Sequence, residues 1–278
     1  MKNVVVRSIS GAVYVALIVA AILYGKITFT ILMLLFGILG LLEFQSMIAS
    51  RNGGQGLSVV AQVLDMMLLV SLIVGTFCFL SLAIMIPLFV AVLGLRFFVA
   101  VFDKSPNAVT NVAQSVLGVL YLAIPLGLLN LVITIPTDNT TQFVLLTFIL
   151  IWLNDTGAFI FGSKFGKKKL CERLSPKKSW EGFWGGFGCC IVACVIYALC
   201  YQHNILIMAL YGATVSVFAT VGDLFESMLK RSAGVKDSGN IIPGHGGILD
   251  RIDSLLFVAF PAIFFGYTVL TSLPFNIQ

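Results

Sequence analysis

Residues 227–253, SMLKRSAGVKDSGNIIPGHGGILDRID, bring together Lys230, Arg231, Lys236 and Arg251 with Asp237, Asp250, Asp253 and a run of close-set glycines. The chain as a whole is 59% hydrophobic and only 10% charged, so this concentration of polar groups calls for a chemical explanation. Lysine and arginine grip phosphate, and carboxylates hold hard divalent ions. Glycine-rich backbone lets amides approach phosphate oxygens without side-chain obstruction. Pro243, Gly244, His245, Gly246 and Gly247 offer such a cradle, and the acids around them suit Mg²⁺, which neutralises phosphate charge. If the helix before this segment continues into it, Asp223, Glu226 and Lys230 share a face through three- and four-residue spacings. Asp250 and Asp253 repeat the spacing where the last helix starts, an end whose dipole favours carboxylates. A local ion-pair network is the structural alternative for Asp250, Arg251 and Asp253. His245 suits a general acid or base, or a hydrogen bond to phosphate.

A second segment, 154–182, reads NDTGAFIFGSKFGKKKLCERLSPKKSWEG. Asn154 and Asp155 fall on an apolar helix, where a desolvated carboxylate needs a partner, a metal or a proton. Lys167, Lys168 and Lys169 fit a topological anchor or an attraction to anionic lipid. Ser175, Pro176, Lys177 and Lys178 stand between a lysine run and a glycine-rich helix start, which favours phosphate contact.

The elements that must position these residues are membrane helices. A mean hydropathy of +1.04 and 23 phenylalanines exclude an ordinary soluble domain. Nine apolar runs are long enough to cross hydrocarbon, at about 4–24, 27–48, 59–79, 82–102, 113–135, 142–162, 182–201, 204–222 and 255–273. The break between the third and fourth, at Leu80 and Ser81, is the weakest. Alternating β-barrel patterning is absent, so the expected fold is an all-α polytopic membrane protein with active-site loops on the cytoplasmic side. Lys2 and Arg7 precede a first helix expected to remain uncleaved.

Nine spans place almost all the basic residues on one side, Lys26 being the exception, and the positive-inside bias makes that side cytoplasmic. The two chemistry-bearing segments are separated by two crossings and so share that face. Up to about residue 150 the chain is apolar helices with weakly charged links, and the provisional division of the chain sets 1–110, the N-terminal helices, apart from 111–278, the catalytic region. From Asp155 onward lie eight of the twelve acidic residues and eleven of the seventeen basic ones. Cys78, Cys171, Cys189, Cys190, Cys194 and Cys200 have no histidine pattern around them and read as packing residues. Glu43 and Asp65 suit either the lining of a pathway or an interfacial or helix-pairing role, and Gly182 with Gly186 reads as a close helix contact.

The pattern Ser227-x-Leu229-Lys230-Arg231-x4-Lys236-Asp237-x-Gly239-x2-Ile242-Pro243-Gly244-His245-Gly246-Gly247-x-Leu249-Asp250-Arg251-x-Asp253 resembles the full signature of the phosphatidate cytidylyltransferases, also called CDP-diglyceride synthases. Asn154-Asp155 and the stretch Ser175-Pro176-Lys177-Lys178-Ser179-Trp180-Glu181-Gly182 are similar to that family too. The likeness covers roughly residues 150–278, and the first half shares only its helical character. It implies transfer of CMP from CTP to phosphatidic acid in a bacterial-type inner membrane, Mg²⁺ with a monovalent companion such as K⁺, a homodimer, and no nucleic-acid partner. By the same resemblance Asp223 and Asp250 are the metal ligands, with Asp253 and Glu226 as nearby candidates. Lys230, Arg251 and His245 join them in the catalytic set. Asn154, Asp155, Ser175, Lys177, Lys178, Arg231, Lys236, Gly246 and Gly247 bind substrate. Two rival readings are a CTP-dependent polyprenol or lipid kinase and a transporter. A transporter would place broken helices and charges near mid-membrane, not in two loops.

Overall fold

The computed structural model describes residues 2–51, 56–78, 82–103, 105–242 and 246–271. Among them are nine helices: α1 (Lys2–Leu23), α2 (Lys26–Arg51), α3 (Val59–Phe77), α4 (Leu82–Val101), α5 (Ala108–Ile133), α6 (Thr140–Phe165), α7 (Trp180–Tyr201), α8 (Ile205–Ser232) and α9 (Leu249–Thr271). Each apolar run becomes a helix because hydrocarbon offers the backbone no outside partner. Among the described residues, α2 to α9 are long and apolar enough to cross a membrane, while the apolar helix found within α1, Ser8–Leu23, is shorter. The protein is a multi-pass membrane protein. The weak break at Leu80 and Ser81 lies outside the described residues, between the end of α3 and the start of α4.

Two departures from the hydropathy pattern bear on the chemistry. Helix α8 does not stop near 222 but runs to Ser232, where Gly234 adopts φ +71° and the Val235 amide closes back onto the Lys230 carbonyl at 3.0 Å. A glycine with positive φ after the last turn is a common helix stop, and it outranks the earlier loss of hydropathy. The lysine-rich segment folds as a hairpin, β1 (Lys169–Cys171) paired antiparallel with β2 (Ser175–Ser179). Its residues Ser-Pro-Lys-Lys-Ser carry no β-branched or alternating apolar signal that would announce a strand.

Packing divides the chain into two compact units, each discontinuous in sequence: Met1–Leu131 with Leu229–Ile252, and Val132–Met228 with Asp253–Gln278. The division expected from the sequence, 1–110 and 111–278, follows a different criterion. In the first unit, buried polar groups tie the helices together. Asp65 on α3 meets Arg96 Nε of α4 at 3.0 Å and accepts hydrogen bonds from Gln45 of α2 at 3.3 Å and from the Ser115 hydroxyl of α5. Thr30 Oγ1 donates to Asn130 Oδ1 at 2.6 Å, and Asn130 Nδ2 reaches the Ile73 carbonyl at 3.3 Å. Asp65 thus does pair helices, as its intramembrane position leads one to expect.

In the second unit α6 and α7 touch through glycines. A Cβ on Gly186 would lie 2.6 Å from the Asn154 carbonyl oxygen, and one on Gly182 would lie 2.7 Å from that of Ala158. A Cβ on Gly188 meets nothing within 4 Å. Gly186→Ala is therefore expected to lower stability by about 1–3 kcal/mol through overpacking, whereas Gly188→Ala is expected to be neutral or slightly stabilising. Unfolding of both variants in the same detergent checks the contrast, and equal stabilities would refute the close contact.

Candidate active site

A cavity of about 390 Å³ in the second unit collects residues from three separated stretches of chain: Asn154 and Asp155 from α6, Lys177 and Lys178 from β2, and Asp223 from α8. Lys178 Nζ lies 2.5 Å from Asp223 Oδ2, with the two side chains 29% and 31% exposed. At that exposure an ion pair contributes only about 0.2–1 kcal/mol, so Lys178 can exchange its carboxylate for a phosphate at little cost. Asn154 is buried, and its Oδ1 accepts a 2.6 Å bond from the Ser216 hydroxyl, which fixes the amide against α8. The hairpin is held in place from both sides. Ser179 caps α7 by accepting from the Gly182 amide at 3.2 Å, and the Glu181 carboxylate accepts from the Lys167 and Lys168 amides at 3.0 and 3.3 Å. The start of α7 therefore lies beside Lys177 and Lys178, where its dipole adds to their attraction for anions.

Asp253, at the start of this unit's part of α9, is close to the same group. The charges of Asp223, Asp155 and Lys178 all act on its carboxylate, and a Cβ on Gly222 would lie 2.6 Å from its backbone carbonyl oxygen. Among the described residues, no group of three or more His, Cys, Asp or Glu forms a metal cage. Mg²⁺ needs no such cage; it takes one or two carboxylates and completes its shell with phosphate and water oxygens. The neighbouring carboxylates Asp223 and Asp253, the former on a cavity wall that also carries two lysines, fit that requirement.

The first unit holds a second polar cluster. Lys230 Nζ lies 2.6 Å from Asp250 Oδ1. Asp250 Oδ2 accepts from the Ser238 amide at 3.1 Å, the Ser238 hydroxyl at 3.0 Å and the Gly247 amide at 2.9 Å. The Gly247 amide, expected to face phosphate, is thus given to a carboxylate. Gly246 adopts φ +86°, and a Cβ there would lie 2.9 Å from Asp250 Oδ2, so the turn demands glycine twice over. Glu43, buried in α2, also reaches this loop.

The structure places the remaining expected residues as follows. Ser175 opens β2, half-buried, and is not among the residues lining the cavity. Arg231 is exposed at the end of α8, where its Nη1 donates to the Val235 carbonyl at 3.3 Å. Lys236 and Arg251 are exposed, and the Arg251 carbonyl accepts from the Tyr14 hydroxyl at 3.1 Å. His245, with Pro243 and Gly244, lies outside the described residues. Sequence reasoning missed Ser179, Ser216 and Ser238 as organisers of these clusters. Only Ser179 carried a local sign, as a serine directly before a helix with an acid in its first turn.

The cytidylyltransferase family profile matches residues 5–269 of the chain. Proteins named phosphatidate cytidylyltransferase from Staphylococcus haemolyticus (strain JCSC1435), Staphylococcus epidermidis (strain ATCC 12228 / FDA PCI 1200) and Staphylococcus aureus (strain COL) are 47%, 48% and 46% identical to it. Each similarity extends over 119 residues, 42% of this chain and 46% of the relative. The chain thus spans about half the length of the curated relatives it matches.

Proposed function

Because the chain belongs to the cytidylyltransferase family, we propose that it transfers CMP from CTP to phosphatidic acid, giving CDP-diacylglycerol and pyrophosphate. The observation that carries this reading is the cavity on which Asn154, Asp155, Lys177, Lys178 and Asp223 converge. Its volume falls in the range of small-molecule sites, and its two lysines and two carboxylates match a polyphosphate with its counter-ion.

The lipid phosphate is already an anion near neutral pH, so no strong base is needed. One of its oxygens attacks the α-phosphorus of CTP. A new P–O bond forms as the bond from the α-phosphorus to the bridging oxygen breaks, and pyrophosphate leaves with that electron pair. What the protein supplies is alignment and compensation of charge. Lys177 and Lys178 hold phosphate oxygens, with Lys178 passing from Asp223 to the substrate. Asn154, anchored by Ser216, fixes one wall. Lys230, Arg231, Lys236 and Arg251 enter this reading by the family resemblance alone, and Gly246 and Gly247 give their own loop its turn.

Asp223 and Asp253 are the carboxylates whose surroundings fit Mg²⁺, and the family resemblance adds Asp250 and a K⁺ companion to that assignment. When bound, Mg²⁺ neutralises phosphate charge and polarises the phosphoryl oxygens. We place the reaction at the cytoplasmic leaflet of a bacterial-type inner membrane. The support is the concentration of Lys and Arg in 164–178 and 230–251. A homodimer follows from family resemblance alone.

Purified protein given phosphatidate, CTP and Mg²⁺ is expected to release pyrophosphate, and to stop when Mg²⁺ is chelated. Absence of pyrophosphate with both substrates present would remove the proposal.

A further inference from the structure

We infer that Glu43, on α2 in the half of the chain with no signature of its own, is a positioning residue that holds the loop presenting Asp250 to Lys230. Glu43 is only 4% exposed on a mostly apolar helix. A carboxylate there is costly unless it is fully engaged. It accepts three hydrogen bonds: from the Ile248 amide at 2.9 Å, the Leu249 amide at 2.9 Å and the Ser238 hydroxyl at 3.0 Å. Ile248 and Leu249 lie at the start of α9, where the first amides have no partner within the helix. Glu43 therefore caps α9 from another helix, about 205 residues away in sequence.

The fit is close on every side. A Cβ on Gly239 would lie 2.6 Å from Glu43 Oε1, and one on Gly247 would strike both Ser238 Oγ and the Glu43 carboxylate. The loop glycines thus make room for this acid. Ser238 Oγ also stands 3.0 Å from Asp250 Oδ2, so one hydroxyl links two carboxylates. It has one hydrogen to give. Both acceptors lie within its reach, which ties Glu43, Ser238, Asp250 and Lys230 into one hydrogen-bonded row. Displacing Glu43 releases the Ile248 and Leu249 amides and the Ser238 hydroxyl, and with them the placement of Asp250 against Lys230.

The kinetic side of this inference rests on the proposed cytidylyl transfer. The structural side does not. Wild type, Glu43→Ala and Glu43→Gln are compared for kcat and KM with CTP and phosphatidate. Backbone amide exchange is followed by mass spectrometry in 246–252 and, as a reference, in α3. Glu43→Ala is expected to lower kcat about 10- to 100-fold, the usual effect of losing an outer-shell partner, with KM for CTP within about twofold. Exchange should rise in 246–252 and stay unchanged in α3. Glu43→Gln keeps the reach and one oxygen acceptor, but its NH2 group must face either the Ile248 or the Leu249 amide, so it should restore only part of the kcat and the protection. Wild-type kcat and exchange in Glu43→Ala would overturn the inference. So would a rise in exchange spread equally over α3, or a loss in kcat in Glu43→Ala with no rise in exchange in 246–252. If the wild type releases no pyrophosphate, the cytidylyl-transfer reading fails, and the exchange pattern alone decides the role of Glu43.

Discussion

Asparagine in place of Asp223 is expected to cut cytidylyl transfer by about 10²–10³-fold, the scale seen when one preorganised electrostatic group is removed from a reacting centre, with little change in stability. Asp223 stands on the cavity wall 2.5 Å from Lys178. The substitution keeps the size of the side chain and removes its charge. It thereby takes away one of two neighbouring hard oxygen donors and leaves Lys178 without its anion. Since the pair is nearly one-third exposed, folding should lose no more than about 1 kcal/mol. Turnover with CTP and unfolding in the same detergent measure the two effects separately. A variant as active as wild type would remove Asp223 from the site. A variant that is inactive because it unfolds would make the residue structural. Asp250→Asn is expected to abolish turnover too, but with a loss of stability as well, since its carboxylate is 9% exposed and 2.6 Å from Lys230 Nζ.

The largest expected effect on stability lies in the membrane half that carries no signature. Leucine in place of Asp65 leaves Arg96, 2% exposed, without the carboxylate 3.0 Å from its Nε. Breaking one side of a buried pair costs about 3–5 kcal/mol, because the remaining charge stays desolvated. Removing both charges is far milder, so Asp65→Leu combined with Arg96→Met should regain most of that loss. Unfolding of the single and double variants in detergent tests the account. A double variant no more stable than the single one would show that the pair is not the cause.

The helices were legible in the sequence because lipid leaves a long apolar run no other backbone solution, and their order needed no correction. Their polar ends were harder to read. Hydropathy falls near 222, yet α8 continues to Ser232 until Gly234 turns the chain. Residue types announced phosphate chemistry, and Asn154, Asp155, Lys177, Lys178 and Asp223 do line one cavity. Pairings were less accessible. Nothing local shows that Lys178 faces Asp223 or that Asp250 takes the Gly247 amide, since those choices depend on a hairpin and a glycine turn with little propensity signal. Glu43 was the least legible, because its partners lie about 200 residues further along the chain and its meaning appears only once α2 is packed against the loop.

The central claim, that the CTP-derived group transferred to phosphatidate carries the α-phosphate, is tested most directly by labelling the nucleotide. With Mg²⁺ present, α-labelled CTP should leave its label in the lipid product, and γ-labelled CTP should leave its label in released pyrophosphate. Label from the γ-position appearing on lipid would make the protein a kinase and contradict the account.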